Sequence, residues 1–138
     1  MHSRIEDYLK GKSFLITGAS GYLASNLASS LKNISCKIRR LTRKNKLASL
    51  EGNAVFENVQ GEISDRTLWD RAIEDVDIIF HFAGQTSVYV AEENPIIDYE
   101  ANVLPMLHIL EACKKNGARP DILFAGTSTQ MGLPKSLP

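Results

Sequence analysis

The stretch TGASGYLA, Thr17–Ala24, decides the fold class of this chain. It places Gly18, Gly21 and Ala24 at three-residue spacing, between the apolar run SFLI and a segment with a leucine at every fourth position. A glycine at the end of a buried strand permits a tight turn, and a second glycine lets another group approach the backbone closely. The pattern therefore predicts a strand, a turn of small residues and a helix in direct succession.

Strand and helix continue to alternate along the chain. Apolar segments predict five strands, at Ser13–Thr17, Cys36–Thr42, Ala54–Val59, Val76–Gly84 and Asp121–Gly126. Helices are predicted at residues 3–9, at 22–32 with the three leucines facing inward, as a short turn at 46–51, at 66–74 after a cap at Asp65, and from Asn94 to Gly117 with a bend at Pro105. This alternation indicates an α/β fold with a doubly wound parallel sheet and helices on both faces.

Composition restricts the classes of function. The 138 residues carry sixteen basic and sixteen acidic side chains, so no net charge favours a nucleic acid or a membrane surface. The longest apolar run is too short to span a bilayer, and the N-terminus lacks the apolar core of a signal peptide, which predicts a cytoplasmic protein. Cys36 and Cys113 are isolated, without the spacing of a zinc site or a disulfide framework. Any charged ligand must therefore be held by local features.

The glycine loop is suited to bind an anion. In a parallel sheet the ends of strands and the starts of the following helices meet at one edge, where unpaired amides and the helix dipole favour negative charge. The spacing here is GxxGxxA, not GxGxxG, and such a match alone is weakly specific. It follows a strand and opens an amphipathic helix, so we predict that a pyrophosphate binds there. A plain turn of small residues is the alternative.

Five blocks of the sequence resemble the extended short-chain dehydrogenase/reductase family, the nucleotide-sugar epimerases and dehydratases. They are TGASGYLA, GEISD, DIIFHFAG, NPIIDYEANVLPMLHILEA and FAGTSTQMG, in the family's order from about Lys12 to Gly132. The resemblance implies a Rossmann-type NAD(P)-binding domain at residues 12–138, incomplete, after an N-terminal helical extension at residues 1–11. Complete members add a smaller C-terminal domain that holds a nucleotide-diphosphate sugar. Whether the chain forms a homodimer stays open.

The same resemblance assigns contacts to particular residues. Those implied to hold the pyrophosphate are Gly18, Ser20, Gly21, Tyr22 and Leu23. Those implied to contact the adenine are Glu62 and Ile63, and those beside the nicotinamide ribose and phosphates are Phe82, Ala83 and Gly84. Asn102 is implied to brace the cofactor site, and the substrate-facing turn is Gln85, Thr86 and Ser87. His81 is interpreted as a satisfied strand histidine.

The end of the second strand bears on the choice of cofactor. An NAD-selective site usually has an acidic residue there, about 20 residues beyond the glycines, to bind the ribose diol. This chain has Thr42 and Arg43 instead. An arginine forms paired hydrogen bonds with a 2′-phosphate, so we predict NADP in preference to NAD. The alternative is that Arg39, Arg40, Arg43 and Lys44 form only a solvated basic edge.

The proton relay of the family is only partly present. The resemblance implies a Ser or Thr that orients the substrate, here Thr127 or Ser128, and a Tyr with a Lys four residues later. Only Tyr8 has such a lysine, Lys12, and we interpret this pair before the first strand as chance. The expected pair would fall beyond Pro138, so we predict a fragment that binds cofactor without catalysis. The alternative is a non-catalytic NADP-binding sensor or regulatory module of the same fold.

Overall fold

A five-stranded parallel sheet forms the centre of the molecule, with the strand order β3-β2-β1-β4-β5. The structure, a computed structural model, describes residues 2–127 and 132. The strands are β1 (Ser13–Thr17), β2 (Lys37–Thr42), β3 (Val55–Gln60), β4 (Ile78–His81) and β5 (Asp121–Phe124). Strand β1 pairs with both β2 and β4, so that Phe14 lies opposite Ile38 on one side and Ile78 on the other. The predicted parallel sheet is confirmed.

Among the described residues one helix precedes β1, and helices connect all consecutive strands except β2 and β3. They are α1 (His2–Leu9), α2 (Tyr22–Leu31), α3 (Arg66–Ala72), α4 (Val88–Glu93), α5 (Pro95–Asn102) and α6 (Leu104–Asn116). Helix α3 begins after Asp65, whose side chain accepts a hydrogen bond from the amide of Thr67, as the predicted cap requires. None of the helices in the described part of the chain is long and apolar enough to cross a membrane.

Alternate side chains of the strands build two hydrophobic clusters, one on each face of the sheet. On one face Leu15 and Ile79 pack with Trp69 of α3 and Ile109 of α6, and all four are fully buried. The cluster on the other face joins strand residues to α2, and its largest members are Phe14, Ile16, Ile38, Ile78 and Leu31. Helices therefore cover both faces, as predicted. The carboxyl edge of the sheet lies between these two layers.

Helix α2 buries small residues instead of the predicted leucine stripe. Ala24 and Ala28 are only 1% and 2% exposed, whereas Leu23 is 57% exposed and Leu27 is partly buried. The helix starts directly at the glycine turn, so its first inward position lies against the sheet and takes only a small side chain. Of the three leucines, Leu31 alone is fully packed inside. The prediction was wrong for Leu23.

The long helix predicted from Asn94 to Gly117 is divided in two. Both ends are as predicted: the Asn94 side chain accepts a hydrogen bond from the third residue beyond it, and Gly117 ends α6 with φ +65°. The break falls at Val103, two residues before Pro105. Proline has no amide hydrogen, and its ring clashes with the carbonyl four residues earlier. The helix therefore stops and restarts there, and the prediction of a bend was wrong.

Two short segments also differ from the prediction. Residues 46–51, predicted as a helical turn, form no helix; the carbonyl of Ala48 accepts a hydrogen bond from Arg40 Nη1 at 3.0 Å, which ties this segment to β2. Helix α4 was not predicted. It has no buried residue, so it leaves no periodic apolar pattern in the sequence.

Candidate functional site

The residues predicted to bind cofactor and substrate follow the carboxyl ends of the strands. Because the strands are parallel, those ends lie along the same edge of the sheet. The glycine loop follows β1, Thr42 ends β2, Glu62 follows β3, and the turn Phe82–Gly84 follows β4. The structure thus brings to one edge the segments that the sequence analysis assigned to one site.

Gly18 is in backbone contact with the turn after β4. Its φ is +65°, and a Cβ at this position would lie 2.9 Å from the amide nitrogen of Ala83 and 3.0 Å from the carbonyl carbon of Phe82. No side chain fits in that space. The loop is closed by a hydrogen bond of 2.7 Å from the amide of Gly21 to the carbonyl of Gly18. The two backbone segments therefore form one continuous surface.

Helix α2 begins at this surface without a side-chain cap. Gly21 is the N-cap residue, with φ −82° and ψ 165°, and no side chain of the described residues bonds to the first-turn amides. Such amides have no acceptor within the helix. Ser20, Tyr22 and Leu23 are exposed beside them, and Tyr22 is 82% exposed. An anion held here would receive hydrogen bonds from the backbone and the favourable end of the helix dipole.

Thr17 fastens the glycine loop to the turn after β4, a role that the sequence analysis missed. Its Oγ1 accepts hydrogen bonds from the amides of Phe82 at 3.1 Å and Ala83 at 3.0 Å. These bonds occupy both lone pairs of the hydroxyl, so its proton is donated to Nδ1 of His81, 3.0 Å away. A threonine as the last residue of an apolar strand, just before a glycine, was the available signal.

His81 is a buried, neutral histidine. It is 6% exposed, and burial lowers the pKa of its imidazole below the usual value. Because Nδ1 accepts the proton of Thr17, the ring hydrogen is on Nε2, which has no hydrogen-bond partner among the described residues. The ring lies edge-on to Trp69, with 6.0 Å between centroids. Nδ1 of His81 has a hydrogen-bond partner, as the interpretation of a satisfied strand histidine requires. Nε2 has none among the described residues, so the interpretation is wrong for that nitrogen.

Asn102 holds the backbone of the turn after β4. Its Oδ1 accepts a hydrogen bond from the amide of Gln85 at 2.9 Å, and its Nδ2 donates to the carbonyl of Gln85 at 3.0 Å. A Cβ on Gly84 would lie 2.7 Å from that Oδ1. The side chain of Asn102 therefore occupies the space that a Cβ at position 84 would need. Asn102 remains predicted to brace the cofactor site, and its contacts provide the means.

The turn predicted to face the substrate is held by its own side chains. Gln85 donates from Nε2 to the carbonyl of Ser87 at 2.9 Å and to Oδ1 of Asp98 at 3.1 Å, and its Oε1 accepts from the amide of Ser87. Ser87 Oγ in turn caps α4. Both hydrogens of the Gln85 side-chain amide therefore take part in hydrogen bonds within the turn and to α5. Thr86 is exposed. The substrate contacts of these residues stay a prediction.

The ends of β2 and β3 bring Arg43 and Glu62 together. The guanidinium Nη1 of Arg43 lies 3.8 Å from the carboxylate Oε2 of Glu62, and both side chains are exposed. The amide of Ile63 donates to Glu62 Oε1 at 3.2 Å, while the Ile63 side chain is buried in the core. Thr42 is buried, and its Oγ1 accepts from the amide of Lys44 at 3.1 Å. The carbonyl of Ile63 accepts a hydrogen bond from Nε1 of Trp69 at 2.9 Å, so both polar backbone groups of Ile63 have partners within the protein.

Two of the four basic residues at this edge are not solvated. Arg39 bonds to the Glu57 carboxylate and to three carbonyls at the end of α3. Arg40 is buried, lies over the Phe56 ring, and bonds to the side chain of Asn58. The alternative of a uniformly solvated basic edge is therefore wrong for these two. The other two, Arg43 and Lys44, are exposed, and Arg43 is paired with Glu62.

The remaining candidates lie at both edges of the sheet, with Thr127 after the carboxyl end of β5. Thr127 is exposed three residues beyond β5, and Ser128 falls outside the described residues. Tyr8 and Lys12 do meet, with Lys12 Nζ 5.6 Å from the ring centroid, but they lie at the amino end of β1 and line a cavity of about 930 Å³ at that opposite edge. Among the described residues no group of three or more His, Cys, Asp or Glu could hold a metal.

Comparison with known proteins places this arrangement in a family. The model of the NAD dependent epimerase/dehydratase family matches residues 14–138. The chain belongs to this epimerase/dehydratase family. A UDP-glucuronate 4-epimerase of Arabidopsis thaliana is 30% identical to the chain, over 94% of the chain and 33% of the epimerase. A CDP-paratose 2-epimerase of Salmonella typhi is 34% identical, over 86% of the chain and 37% of that epimerase. The chain thus spans about a third of these relatives.

Solved structures of the epimerase/dehydratase fold superpose on the chain. MoeE5 in complex with UDP-glucose and NAD matches with a TM-score of 0.76 and 21% identity, over 91% of this chain and 40% of MoeE5. UDP-glucose 4-epimerase from Bifidobacterium longum, in complex with NAD+ and UDP, matches with a TM-score of 0.75 and 24% identity. This match covers 92% of the present chain and 40% of the epimerase chain. These likenesses confirm the predicted Rossmann-type fold.

Proposed function

We propose that this chain binds NADP, in preference to NAD, as the cofactor-binding portion of a nucleotide-sugar epimerase, dehydratase or reductase. The observation that carries the proposal is the contact of Gly18 with Ala83, which joins the glycine loop and the turn after β4 into one backbone surface. The uncapped start of α2 lies at that surface. A pyrophosphate has its acceptor oxygens matched there by backbone donors. Membership of the epimerase/dehydratase family supports the same conclusion.

Different segments at the carboxyl edge of the sheet contact different parts of the dinucleotide in this proposal. The amides of Ser20, Tyr22 and Leu23 bind the pyrophosphate, while the amide of Gly21 closes the loop. Glu62 and Ile63 lie beside the adenine, and Phe82–Gly84 line the nicotinamide side. When bound, the nicotinamide supplies hydride transfer to and from a sugar carbon. Thr127 or Ser128 orients a substrate hydroxyl. In the sequence only Tyr8 has a lysine four residues later, and that pair lies at the opposite edge of the sheet.

We expect the chain to bind nucleotide without turnover. General acid-base catalysis typically contributes about 10²–10⁴ in rate, and substrate positioning can add more. Calorimetric titration with NAD and NADP measures binding, and nicotinamide absorbance with UDP-, dTDP-, GDP- and CDP-sugars measures turnover. Failure to bind either dinucleotide would overturn the proposed function. Turnover that persists in a Thr127→Ala/Ser128→Ala double variant would show an unrecognised base within the chain.

Arg43 is proposed to select NADP. Loss of its charge-assisted contact to a 2′-phosphate removes about 1.5–3 kcal/mol, so Arg43→Ala should erase most of a preference for NADP of about tenfold or more. The exposed Lys46, on the same loop, provides the control: Lys46→Ala should keep the preference. Kd values for both dinucleotides are measured for each variant. A wild-type chain that binds NAD as tightly as NADP would contradict this role.

The proposal extends to partners and location. A nucleotide-diphosphate sugar is proposed as the substrate of the complete protein. A homodimer is proposed because the N-cap residue Val103 and the helix residues Leu107 and Leu110 of α6 are each about half exposed, at four- and three-residue spacing. Sedimentation velocity tests this pairing, and a monomer at high concentration would exclude it. A cytoplasmic location stays a prediction, checked by fractionation.

A further inference from the structure

The carboxylate of Asp98 connects two side chains of the turn after β4. Its Oδ1 accepts hydrogen bonds from Nδ2 of Asn102 at 2.9 Å and from Nε2 of Gln85 at 3.1 Å. Asp98 is half-buried on α5, one helical turn before Asn102. Side chains four residues apart on a helix are neighbours, so this pairing is built into the spacing of the two residues.

Asp98 favours the same orientation of the Asn102 side-chain amide as the backbone of Gln85 does. An ionised carboxylate only accepts hydrogen bonds, so the nitrogen end of the amide must turn toward it. The second hydrogen of Nδ2 then reaches the carbonyl of Gln85, and Oδ1 accepts the Gln85 amide. A reversed amide would place an acceptor against both Asp98 and the carbonyl of Gln85, and a donor against the amide of Gln85. The two hydrogen bonds with Asn102 hold the backbone of Gln85 in one position next to Gly84.

We propose that Asp98 is a positioning residue for the nicotinamide half of the dinucleotide site. It acts through Asn102 and Gln85, which hold the backbone that continues directly from Phe82–Gly84. This inference rests on the proposed function of the edge. The adenine half depends on the glycine loop and Glu62, none of which Asp98 contacts through a hydrogen bond among the described residues. Asp98 therefore affects one half of the ligand and not the other.

Two ligands separate a positioning role from a structural one. NAD occupies both halves of the site, whereas ADP occupies only the adenine and pyrophosphate half. Asp98→Ala should weaken NAD binding by about tenfold, the effect of losing a charge-assisted hydrogen bond, and leave ADP affinity within about twofold. Asp98→Asn keeps an oxygen that can accept both bonds, so NAD affinity should recover to within about threefold of wild type.

The control is Glu100→Ala, which removes an exposed acidic side chain from the same helix and should bind NAD like wild type. Equal losses for NAD and ADP in Asp98→Ala, or no loss for either, would overturn the positioning role. If circular dichroism shows that Asp98→Ala does not fold, Asp98→Ser is titrated with the same two ligands. The same result is expected, a loss of affinity for NAD that exceeds the loss for ADP. A wild-type chain that binds neither ligand would refute the proposed function instead.

Discussion

Gly18→Ala should destabilise the chain by about 3 kcal/mol. A residue with a Cβ in the left-handed conformation costs about 1–2 kcal/mol, and forcing a methyl group into a filled site costs about 1–3 kcal/mol. At Gly18 both apply, because φ is +65° and the Cβ would lie 2.9 Å from the Ala83 amide nitrogen. Neither backbone can move away without losing the hydrogen bonds of Thr17.

The matched control for this substitution is Gly117→Ala. Gly117 has the same φ of +65°, but nothing lies within 4 Å of a Cβ built there. Its substitution should cost only the conformational part, about 1–2 kcal/mol. The free energy of unfolding in urea is measured for both variants. Equal destabilisation of the two would show that the close approach of Gly18 to Ala83 carries no energy.

Gly21→Val should abolish dinucleotide binding while the chain still folds. Gly21 has φ −82° and ψ 165°, an extended conformation that valine adopts readily. A Cβ there would lie 3.1 Å from the carbonyl oxygen of Gly18, a tight contact, and the branched side chain would stand on the residue that opens the first turn of α2. A phosphate oxygen could no longer reach the first-turn amides. We expect affinity to fall by about 100-fold or more, equivalent to about 2.8 kcal/mol.

The control for Gly21→Val is Ser29→Val. Ser29 is exposed on the same helix, two turns beyond the loop, so this variant adds a valine to α2 without approaching the site. Calorimetric titration with NADP is compared for both variants after circular dichroism has shown that each is folded. If folded Gly21→Val binds NADP as tightly as Ser29→Val, the glycine loop does not hold the pyrophosphate.

The strands and the site edge could be predicted because their signals are local. Apolar runs between turn residues gave the strands to within a few residues, and caps such as Asp65 and Asn94 gave the starts of helices. The glycine spacing located the loop. These features depend on the chain within a few residues of each position, which a sequence shows directly.

The contacts that join separate segments could not be predicted. Thr17 and His81 lie 64 positions apart, and no local pattern indicates that the Thr17 hydroxyl bonds to the imidazole of His81. Arg39 and Arg40 form a basic run in the sequence, but the alternation of a strand sends them to opposite faces and into different bonds. The inward face of α2 depends on its distance from the sheet, which hydrophobic periodicity does not report.

The hydroxyl of Thr17 couples the two halves of the edge in local unfolding. One oxygen accepts the amides of Phe82 and Ala83, so these two amides exchange with solvent only when that oxygen is displaced. Displacement of Thr17 also releases the strand end that leads into Gly18. We therefore expect the glycine loop and the turn after β4 to open and close as one cooperative unit. A ligand that holds either segment slows hydrogen exchange in both.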